Sequence, residues 1–244
     1  MGRKRRVRRR TVRKRRTDQR LLRVAAVFVV LFGAIAWLQT HPGDNPWAPL
    51  DLNDPVGFAT ASKLVALRED IPECRAVLVR SNVPFETFPA TGEGPCARPD
   101  RTQLSDFPLT PSSPAVTCPV AAALEMWRQQ SVEPAARRHF GADLVRIEHM
   151  GVYNCRRIRG TNSAAWSQHA TGNALDISAF VLSNGDRITV LEGWNGDEPA
   201  AKFLRDVRDG ACGVYATVLS PDFNAAHADH FHFDQGQRWA GVCR

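Results

Sequence analysis

The longest apolar run of the chain lies near its N-terminus, over Val24–Leu38. Leu21 and Leu22 extend this run across Arg23, whose long side chain can reach a membrane surface. A helix needs about 20 mostly apolar residues to cross a bilayer. The pattern therefore predicts a single transmembrane helix over residues 24–40.

A cleaved signal peptide is the alternative interpretation of this run. Ala34-Ile35-Ala36 supplies the small residues that a signal peptidase site requires. The basic segment before the run and the run itself are both long for a signal peptide, which favours an uncleaved anchor. Both interpretations place the rest of the chain on the exported side of a membrane.

Residues 41–54 are rich in Pro, Gly, Asp and Asn, and they predict a linker. Residues 55–244 are enough for one domain with a sizeable core. Helical and strand patterns are mixed there without a strand–helix–strand rhythm, so we expect an α+β domain with an antiparallel sheet and flanking helices. The expected elements are a short helix in Pro55–Glu69, a strand over Arg75–Arg80, an irregular Phe85–Pro114, a helix from Pro119, a second or continuing helix over Val132–Phe140 that ends at Gly141, a strand over Leu144–Tyr153, a hairpin of Ala174–Leu182 with Arg187–Leu191 around Ser183–Asp186, and a helix over Pro199–Val207.

Two of the strands separate apolar from polar side chains by alternation. In Ala174–Leu182, Asp176 lies on the opposite face from the apolar side chains, which are Leu175, Ile177, Ala179 and Val181. A second strand, through residues 230–233, would bury its two phenylalanines and point His230 and His232 the other way.

Charge is distributed unevenly along the chain. Residues 1–23 hold thirteen Lys and Arg residues and a single acid, Asp18. Subtracting them from the totals of 32 basic and 25 acidic residues leaves 19 basic and 24 acidic residues, a net charge of −5. A basic tail before an apolar helix marks the cytoplasmic side and suits anionic lipid, so we expect a membrane and no nucleic acid as the partner of this segment.

Ser167–Asp176 carries metal-ligand side chains around a turn residue. It reads Ser-Gln-His-Ala-Thr-Gly-Asn-Ala-Leu-Asp, so His169 and Asp176 stand on either side of Gly172, which can adopt a positive φ. Zinc binds imidazole nitrogen and carboxylate oxygen, and a catalytic zinc has three protein ligands and a water. The stretch offers two ligands, and the histidines near the C-terminus offer a third.

Ser-x-His-x-x-Gly-x-Ala-x-Asp followed by a late His-x-His resembles the signature of the LAS-type zinc peptidases. That group includes D-Ala-D-Ala carboxypeptidases, lysostaphin-like endopeptidases and the hedgehog signalling domain. More narrowly, the chain from about Cys118 to Cys243 is similar to the bacterial extensin-like C-terminal domain. The resemblance implies a LAS-like fold and makes His169, Asp176 and His232 the ligands of a Zn²⁺ ion.

The same resemblance implies hydrolysis of an amide bond. Zinc would polarise the scissile carbonyl and lower the pKa of a water toward ~7. Strand alternation favours His230 as the general base because it shares the face of the ligand His232, whereas the nearer relatives use a carboxylate. We therefore favour Asp229 as the base and His230 as support for the transition state.

Contacts with the substrate are implied in the same way. Arg156 or Arg157 would bind a substrate carboxylate, as an arginine does in the D-alanyl peptidases, and Ser167 would support the first ligand. Together with export, the resemblance implies a single-pass protein of the inner (cytoplasmic) membrane. Its C-terminal domain would be periplasmic or otherwise extracytoplasmic and would act on peptidoglycan stem peptides or cross-links. The alternative is a non-catalytic, zinc-containing cell-wall-binding module.

All six cysteines follow the apolar run. An even number in an exported region predicts disulfides, and the absence of Cys-x-x-Cys spacing disfavours a structural zinc site. Among the fifteen possible pairings we expect Cys212–Cys243, which would enclose the His-Phe-His element, and Cys74–Cys96. Buried free thiols are the alternative.

Overall fold

A computed structural model describes residues 2–158, 165–238 and 240–244, with side chains from residue 19 onward. The predicted mixture of helices and sheet is confirmed. The helices are α1 Gly2–Thr40, α2 Thr60–Ala66, α3 Ile71–Arg80, α4 Cys118–Trp127, α5 Glu133–Phe140, α6 Val190–Gly193 and α7 Ala200–Cys212. The strands are β1 Phe85–Thr87, β2 Thr102–Leu104, β3 Leu109–Thr110, β4 Leu144–Gly151, β5 Ala174–Leu182, β6 Arg187–Thr189, β7 Thr217–Leu219, β8 Phe231–Asp234 and β9 Val242–Cys243.

The second half of α1 is the apolar helix that the sequence predicts. Gln19–Thr40 comprises 22 residues and is long and apolar enough to cross a membrane. A signal sequence near an N-terminus meets the same criteria, so both interpretations of residues 24–40 stay predictions.

The segment 41–54, which composition marks as a linker, packs on the domain. Leu50 and Leu52 are buried in the main core. The backbone N–H of Leu52 donates to Ser81 Oγ at 2.9 Å. Gln130 Nε2 donates to the carbonyl oxygens of Leu52 at 3.0 Å and Asp54 at 2.7 Å. These contacts hold the domain close to the end of α1.

A seven-stranded sheet organises the domain in the order β3-β4-β5-β8-β7-β9, with β6 also paired to β5. Strand β5 is central: β4 pairs along one edge, and β8 and β6 share the other. The sheet is antiparallel at its centre, as predicted, but β3 runs parallel to β4 and β9 runs parallel to β7. The strands β1 and β2 form a separate hairpin.

The predicted single alternation along β5 is wrong in its second half. Leu175 and Ile177 face the core as expected, but Phe180 and Leu182, rather than Ala179 and Val181, then join it. The register against β4 explains the change, because Glu148 pairs with Ala179 while His149 pairs with Ile177. Ser178 is thus an extra residue, a β-bulge, and it reverses which side chains point inward.

The core lies between the sheet and the helices α4 and α7. All ten residues of α4 are buried, and Trp127 at its end packs edge-on against Phe233 of β8, with ring centroids 5.1 Å apart. Trp127 also donates from Nε1 to the carbonyl oxygen of Val207 at 2.9 Å. This bond satisfies the indole N–H at full burial and joins α4 to α7.

The prediction of a strand over Arg75–Arg80 is wrong, because this stretch belongs to α3. Asp70 caps the helix by accepting the N–H of Glu73 at 3.0 Å, and a proline stands in the first turn. The buried residues are Cys74, Val77 and Leu78, whose spacing of three and four is helical. The strand was predicted because Ala76–Val79 is a run of four adjacent apolar residues, which also fits a buried strand.

The other elements agree in type and differ at their ends. The helix after Pro119 continues through Arg128–Val132 into α5, which ends at Gly141 with φ 61°. Strand β6 stops at Thr189, whose side chain caps α6. The predicted helix over Pro199–Val207 continues to Cys212. The excursion Phe85–Pro114 contains the short strands β1, β2 and β3.

All six cysteines form disulfides. The Cys212–Cys243 pairing is confirmed. The Cys74–Cys96 pairing is wrong: Cys74 joins Cys118 and Cys96 joins Cys155. The reason is that α3 packs on α4, which brings Cys74 to the first residue of α4.

Candidate metal centre

Three ligand-type atoms converge at the edge shared by β5 and β8. His169 Nε2 lies 3.2 Å from Asp176 Oδ1, and His232 Nδ1 lies 2.9 Å from the same oxygen. The two histidine nitrogens are 3.1 Å apart. Asp176 and His232 are direct cross-strand partners in the register of β5 and β8. The pairing that buries the phenylalanines of β8 therefore also assembles two members of the cluster.

His169 reaches the cluster from a short 3₁₀ turn, Gln168–Thr171, which precedes β5. The turn ends at Gly172, with φ 72°, and a side chain there would collide with the Arg98 guanidinium. The Ser167 hydroxyl accepts the backbone N–H of His169 at 3.3 Å and so caps the turn. Ser167 thus supports the local fold around the first ligand.

A backbone contact fixes which ring nitrogen of His169 faces the cluster. Nδ1 lies 3.2 Å from the carbonyl oxygen of Val152, which can only accept a hydrogen bond. Nδ1 therefore carries a proton, and Nε2 is the nitrogen that faces Asp176 and His232. Metal-binding histidines have this arrangement, with the second ring nitrogen held by a carbonyl or a carboxylate.

In His232 the two ring nitrogens exchange these roles, and Asp234 fixes their positions. Its Nε2 lies 2.9 Å from Asp234 Oδ2, so Nδ1 is the nitrogen left to bind a metal. The other oxygen of Asp234 accepts the N–H of Gly236 at 2.6 Å, which fixes the carboxylate. Sequence reasoning missed Asp234, although its i+2 spacing from His232 on one strand predicts a shared face.

The side chains of the cluster shift one another's pKa values. Burial alone would raise the pKa of Asp176, but hydrogen bonds from His169 and His232 outweigh it, and the pKa falls well below its usual value. Burial alone would lower the pKa of His232, but Asp176 and Asp234 raise it to about 9. The cluster is thus built around an ionised carboxylate that stabilises positive charge.

The donor set fits a zinc ion. Two imidazole nitrogens and one carboxylate oxygen are a ligand set that catalytic zinc sites use. With bonds of about 2.0 Å, tetrahedral zinc separates its ligand atoms by about 3.3 Å. The observed separations of 2.9, 3.1 and 3.2 Å are close to this value.

His230 and Asp229 stand beside the cluster, just before β8 begins at Phe231. His230 Nδ1 lies 2.8 Å from Asp229 Oδ1, so its proton is donated to that carboxylate. His230 Nε2 is 3.8 Å from Asp176 Oδ1 and faces the cluster. Asp229, whose side chain is 49% exposed, contacts the cluster through His230.

A third histidine of this region, His227, was not predicted as a site residue. Its ring centroid lies 5.2 Å from that of His230 and 6.0 Å from that of His232. Asn224 Oδ1 accepts both the N–H of Ala226 and the Nδ1 proton of His227. Burial, and then the two neighbouring histidines, lower the pKa of His227 to about 4. The spacing His-x-x-His-x-His, from His227 to His232, could have indicated from the sequence that His227 lies near the site.

An open cleft of about 780 Å³ surrounds the cluster. Arg156 and Ser167 line it, as the substrate predictions require. Arg157 instead places its guanidinium over the Trp166 ring, 4.8 Å from the centroid. A loop after β7 also lines the cleft, and its lining residues are Phe223, Asn224, Ala226, His227 and His230.

A sequence model of the family described as "Extensin-like protein C-terminus" matches residues 72–244. The match covers well over half of the chain. The chain belongs to this family. The extensin-like domain so defined contains the whole cluster and all six cysteines, and α1 and the segment that follows it lie outside. Neither the comparison with curated proteins nor that with solved structures finds a match.

Proposed function

We propose that this extensin-like protein is a membrane-anchored, exported zinc peptidase that hydrolyses amide bonds in peptidoglycan stem peptides or cross-links. The observation that carries the proposal is the cluster of His169 Nε2, Asp176 Oδ1 and His232 Nδ1, within 2.9–3.2 Å of one another at an open cleft. A buried structural metal would need no cleft of about 780 Å³ beside it. The resemblance to the LAS-type peptidases supports the reaction class.

The three residues would hold the metal, and each is prepared for that task. Val152 and Asp234 orient the two histidines, and the carboxylate of Asp176 stays ionised. A bound zinc ion would supply an electrophile for the amide carbonyl and lower the pKa of a water. The remaining requirement is a group that moves protons.

His230 meets that requirement best. Its Nδ1 proton is donated to Asp229, so the lone pair of Nε2 faces the cluster and can accept a proton. Asp229 then stabilises the imidazolium, and His230 can return the proton to the leaving amine. The sequence favoured Asp229 as the base, whereas the geometry favours the alternative in which Asp229 positions His230.

The substrate side of the cleft supports a peptide ligand. Arg156 lines the cleft and can form two parallel hydrogen bonds with a carboxylate of a stem peptide. Its neighbour Arg157 is engaged with Trp166, which leaves Arg156 as the stronger candidate of the pair. The chemistry of the recognised group is thus a peptide amide near a free carboxylate.

Export is supported by two independent features. The apolar helix Gln19–Thr40 follows a strongly basic segment, which is the pattern of a cytoplasmic tail before a membrane span. Three disulfides require an oxidising compartment, such as the periplasm. Both features support a cleft on the side of the membrane that holds peptidoglycan.

Digestion of purified peptidoglycan, with mass analysis of the products, tests the proposal. The wild-type protein should release new amines only when zinc is present, and Asp176→Ala should release none. His149→Ala is a matched control, because His149 bonds to the Ser112 carbonyl away from the cleft. A protein that binds zinc and peptidoglycan but cuts no bond would be the wall-binding module instead.

A further inference from the structure

The chain directly after α1 is a folded connection rather than a loose tether. Asn45 Nδ2 donates to the carbonyl oxygen of Leu38 inside α1, at 3.3 Å. Lys63 Nζ donates to the carbonyl oxygen of Pro42 at 2.8 Å, which joins α2 to the end of α1. Gly43 and Gly57 pack so closely that a side chain on either would collide with the backbone of the other segment. The domain therefore starts immediately at the end of the helix.

Two large aromatic side chains project from this connection. Trp47 is 82% exposed and Phe58 is 94% exposed. Both are anchored at the backbone, because the N–H of Trp47 donates to Asn45 Oδ1 at 3.0 Å and the N–H of Phe58 donates to Asp44 Oδ1 at 2.7 Å. Asp44 and Asn45 are adjacent, so both aromatic residues are anchored to one short segment close to the end of α1, and we call the pair the aromatic patch.

The length of the apolar helix sets the depth of this patch. Gln19–Thr40 has 22 residues, which at 1.5 Å per residue span about 33 Å, close to the ~30 Å hydrocarbon core of a bilayer. Thr40 then lies at the membrane surface. The patch begins a few residues beyond Thr40 and is hydrogen-bonded to the helix end, so it lies at the level of the lipid headgroups.

We propose that Trp47 and Phe58 form a membrane-docking patch that inserts at the interface of the bilayer and fixes the orientation of the extensin-like domain. Aromatic side chains concentrate at this level of a membrane. The proposal rests on the anchor role of α1 in the proposed function. Its occupant is lipid rather than a protein partner, because the patch is continuous with the segment that spans the membrane.

The charges around the patch indicate whether electrostatic attraction or apolar insertion would drive docking. Between residues 41 and 63 the charged side chains are three acids and one lysine: Asp44, Asp51, Asp54 and Lys63. An acidic surface is not attracted to anionic lipid. Docking is therefore driven by apolar insertion, and it persists in zwitterionic lipid and at high salt, where exposed charges are screened.

The test uses the full chain with 5-fluorotryptophan, in nanodiscs of phosphatidylcholine that contain a lipid spin-labelled near the headgroup. Fluorine signals are assigned by single Trp→Phe substitutions. The spin label should broaden Trp47 and Trp37, which lies in the apolar helix. It should broaden Trp127 and Trp194 less, because both are buried in the domain core and paramagnetic broadening falls steeply with distance.

A second variant separates docking from folding. Phe58→Ser should reduce the broadening of Trp47, because it removes half of the patch. Leu191→Ser is the control, since Leu191 is 63% exposed on α6 and should have no effect. A sharp Trp47 signal beside a broadened Trp37 signal would overturn the proposal and leave the patch for a protein partner. If the Trp37 signal also stays sharp, α1 is not in the bilayer. Both the docking proposal and the proposed anchor role of α1 would then be refuted.

Discussion

His232 has carboxylates on both sides, and they contact different ring nitrogens. Asp176 lies beside the nitrogen that would bind zinc, and Asp234 holds the nitrogen that would not. Two residues on one strand would thus have different roles: His232 would supply a ligand atom, and Asp234 would determine which nitrogen that is.

Replacing any of the three proposed ligands should lower the zinc content of the protein. His169→Ala, Asp176→Ala and His232→Ala should each lower the zinc content of purified protein, because each removes one of three ligand atoms. Metal analysis by mass spectrometry measures the effect. His227→Ala is the control and should keep its zinc, and full zinc content in all three ligand variants would refute the site.

Asp234→Ala should weaken zinc binding without removing a ligand. Loss of a carboxylate that orients a histidine ligand reduces metal affinity by about 10–100-fold. Competition with a chelator gives the affinity. Asp234→Asn should recover part of it, because the amide oxygen still accepts the Nε2 proton. Equal affinities in all three proteins would show that Asp234 is irrelevant to the site.

Substitutions at Asp229 and His230 should reduce turnover to different extents. His230→Ala should keep zinc and lose at least ~10²-fold in turnover, the effect of a missing general base. Asp229→Ala should lose less, because His230 Nε2 remains in place. Release of amines from peptidoglycan measures both. Near-normal turnover in His230→Ala beside an inactive Asp229→Ala would return the role of base to Asp229.

Which residues meet could be predicted from the sequence, but their orientation could not. Motif spacing suggested His169 and Asp176, strand alternation put His230 and His232 on one face, and the family resemblance selected His232 as the third member. Asp229 and His230 precede the first residue of β8, where alternation no longer decides which way a side chain points. The contact between Asp234 and His232 needed the actual pairing of the strand ends.

At the scale of elements, the disulfide Cys96–Cys155 is attached to the segment that contacts His169 in the turn Gln168–Thr171. Cys155 follows Val152, whose carbonyl orients His169, and Asn154, whose N–H donates to the His169 carbonyl at 3.0 Å. The bond joins this segment to the turn Gly94–Cys96. The disulfide therefore connects the first half of the domain to the segment that positions His169.

Removing Cys96–Cys155 should affect both stability and metal binding. The double variant Cys96→Ser/Cys155→Ser should lose about 2–5 kcal/mol in free energy of unfolding, as for other native disulfides. It should also bind zinc more weakly, because Val152 and Asn154 lose their tether. The control Cys212→Ser/Cys243→Ser should be destabilised with zinc affinity nearly unchanged. Denaturant titration and chelator competition measure the two quantities, and an equal loss of affinity in both variants would contradict the assignment.

Element type could be predicted where periodicity was clear, as in α7, whose buried residues Phe203, Leu204 and Val207 recur at helical spacing. The failure at α3 arose because four adjacent apolar residues fit a buried strand as well as a helix. The decisive signals were local, namely Asp70 as cap and Pro72 in the first turn. The β-bulge at Ser178 depends on pairing with β4, which no single strand reveals.

At the scale of the whole molecule, the orientation of the chain across the membrane is testable. A reporter fused after Arg244 should be active only on the exported side, because the basic excess precedes the apolar helix. Paired reporters that function on opposite sides of the membrane measure this. A cytoplasmic C-terminus would contradict the orientation and would remove the physical basis for three disulfides.

The register of β5 against β8 makes the metal cluster a check on correct folding. Asp176 faces His232, and Ile177 faces Phe231 in the same ladder. A slip by one residue would turn Phe231 and Phe233 to the solvent and separate the ligand pair at once. A molecule with a mispaired strand could therefore not close its core, and it would also lack the proposed zinc site. Zinc binding at this site would thus distinguish chains whose central strands are aligned from mispaired ones.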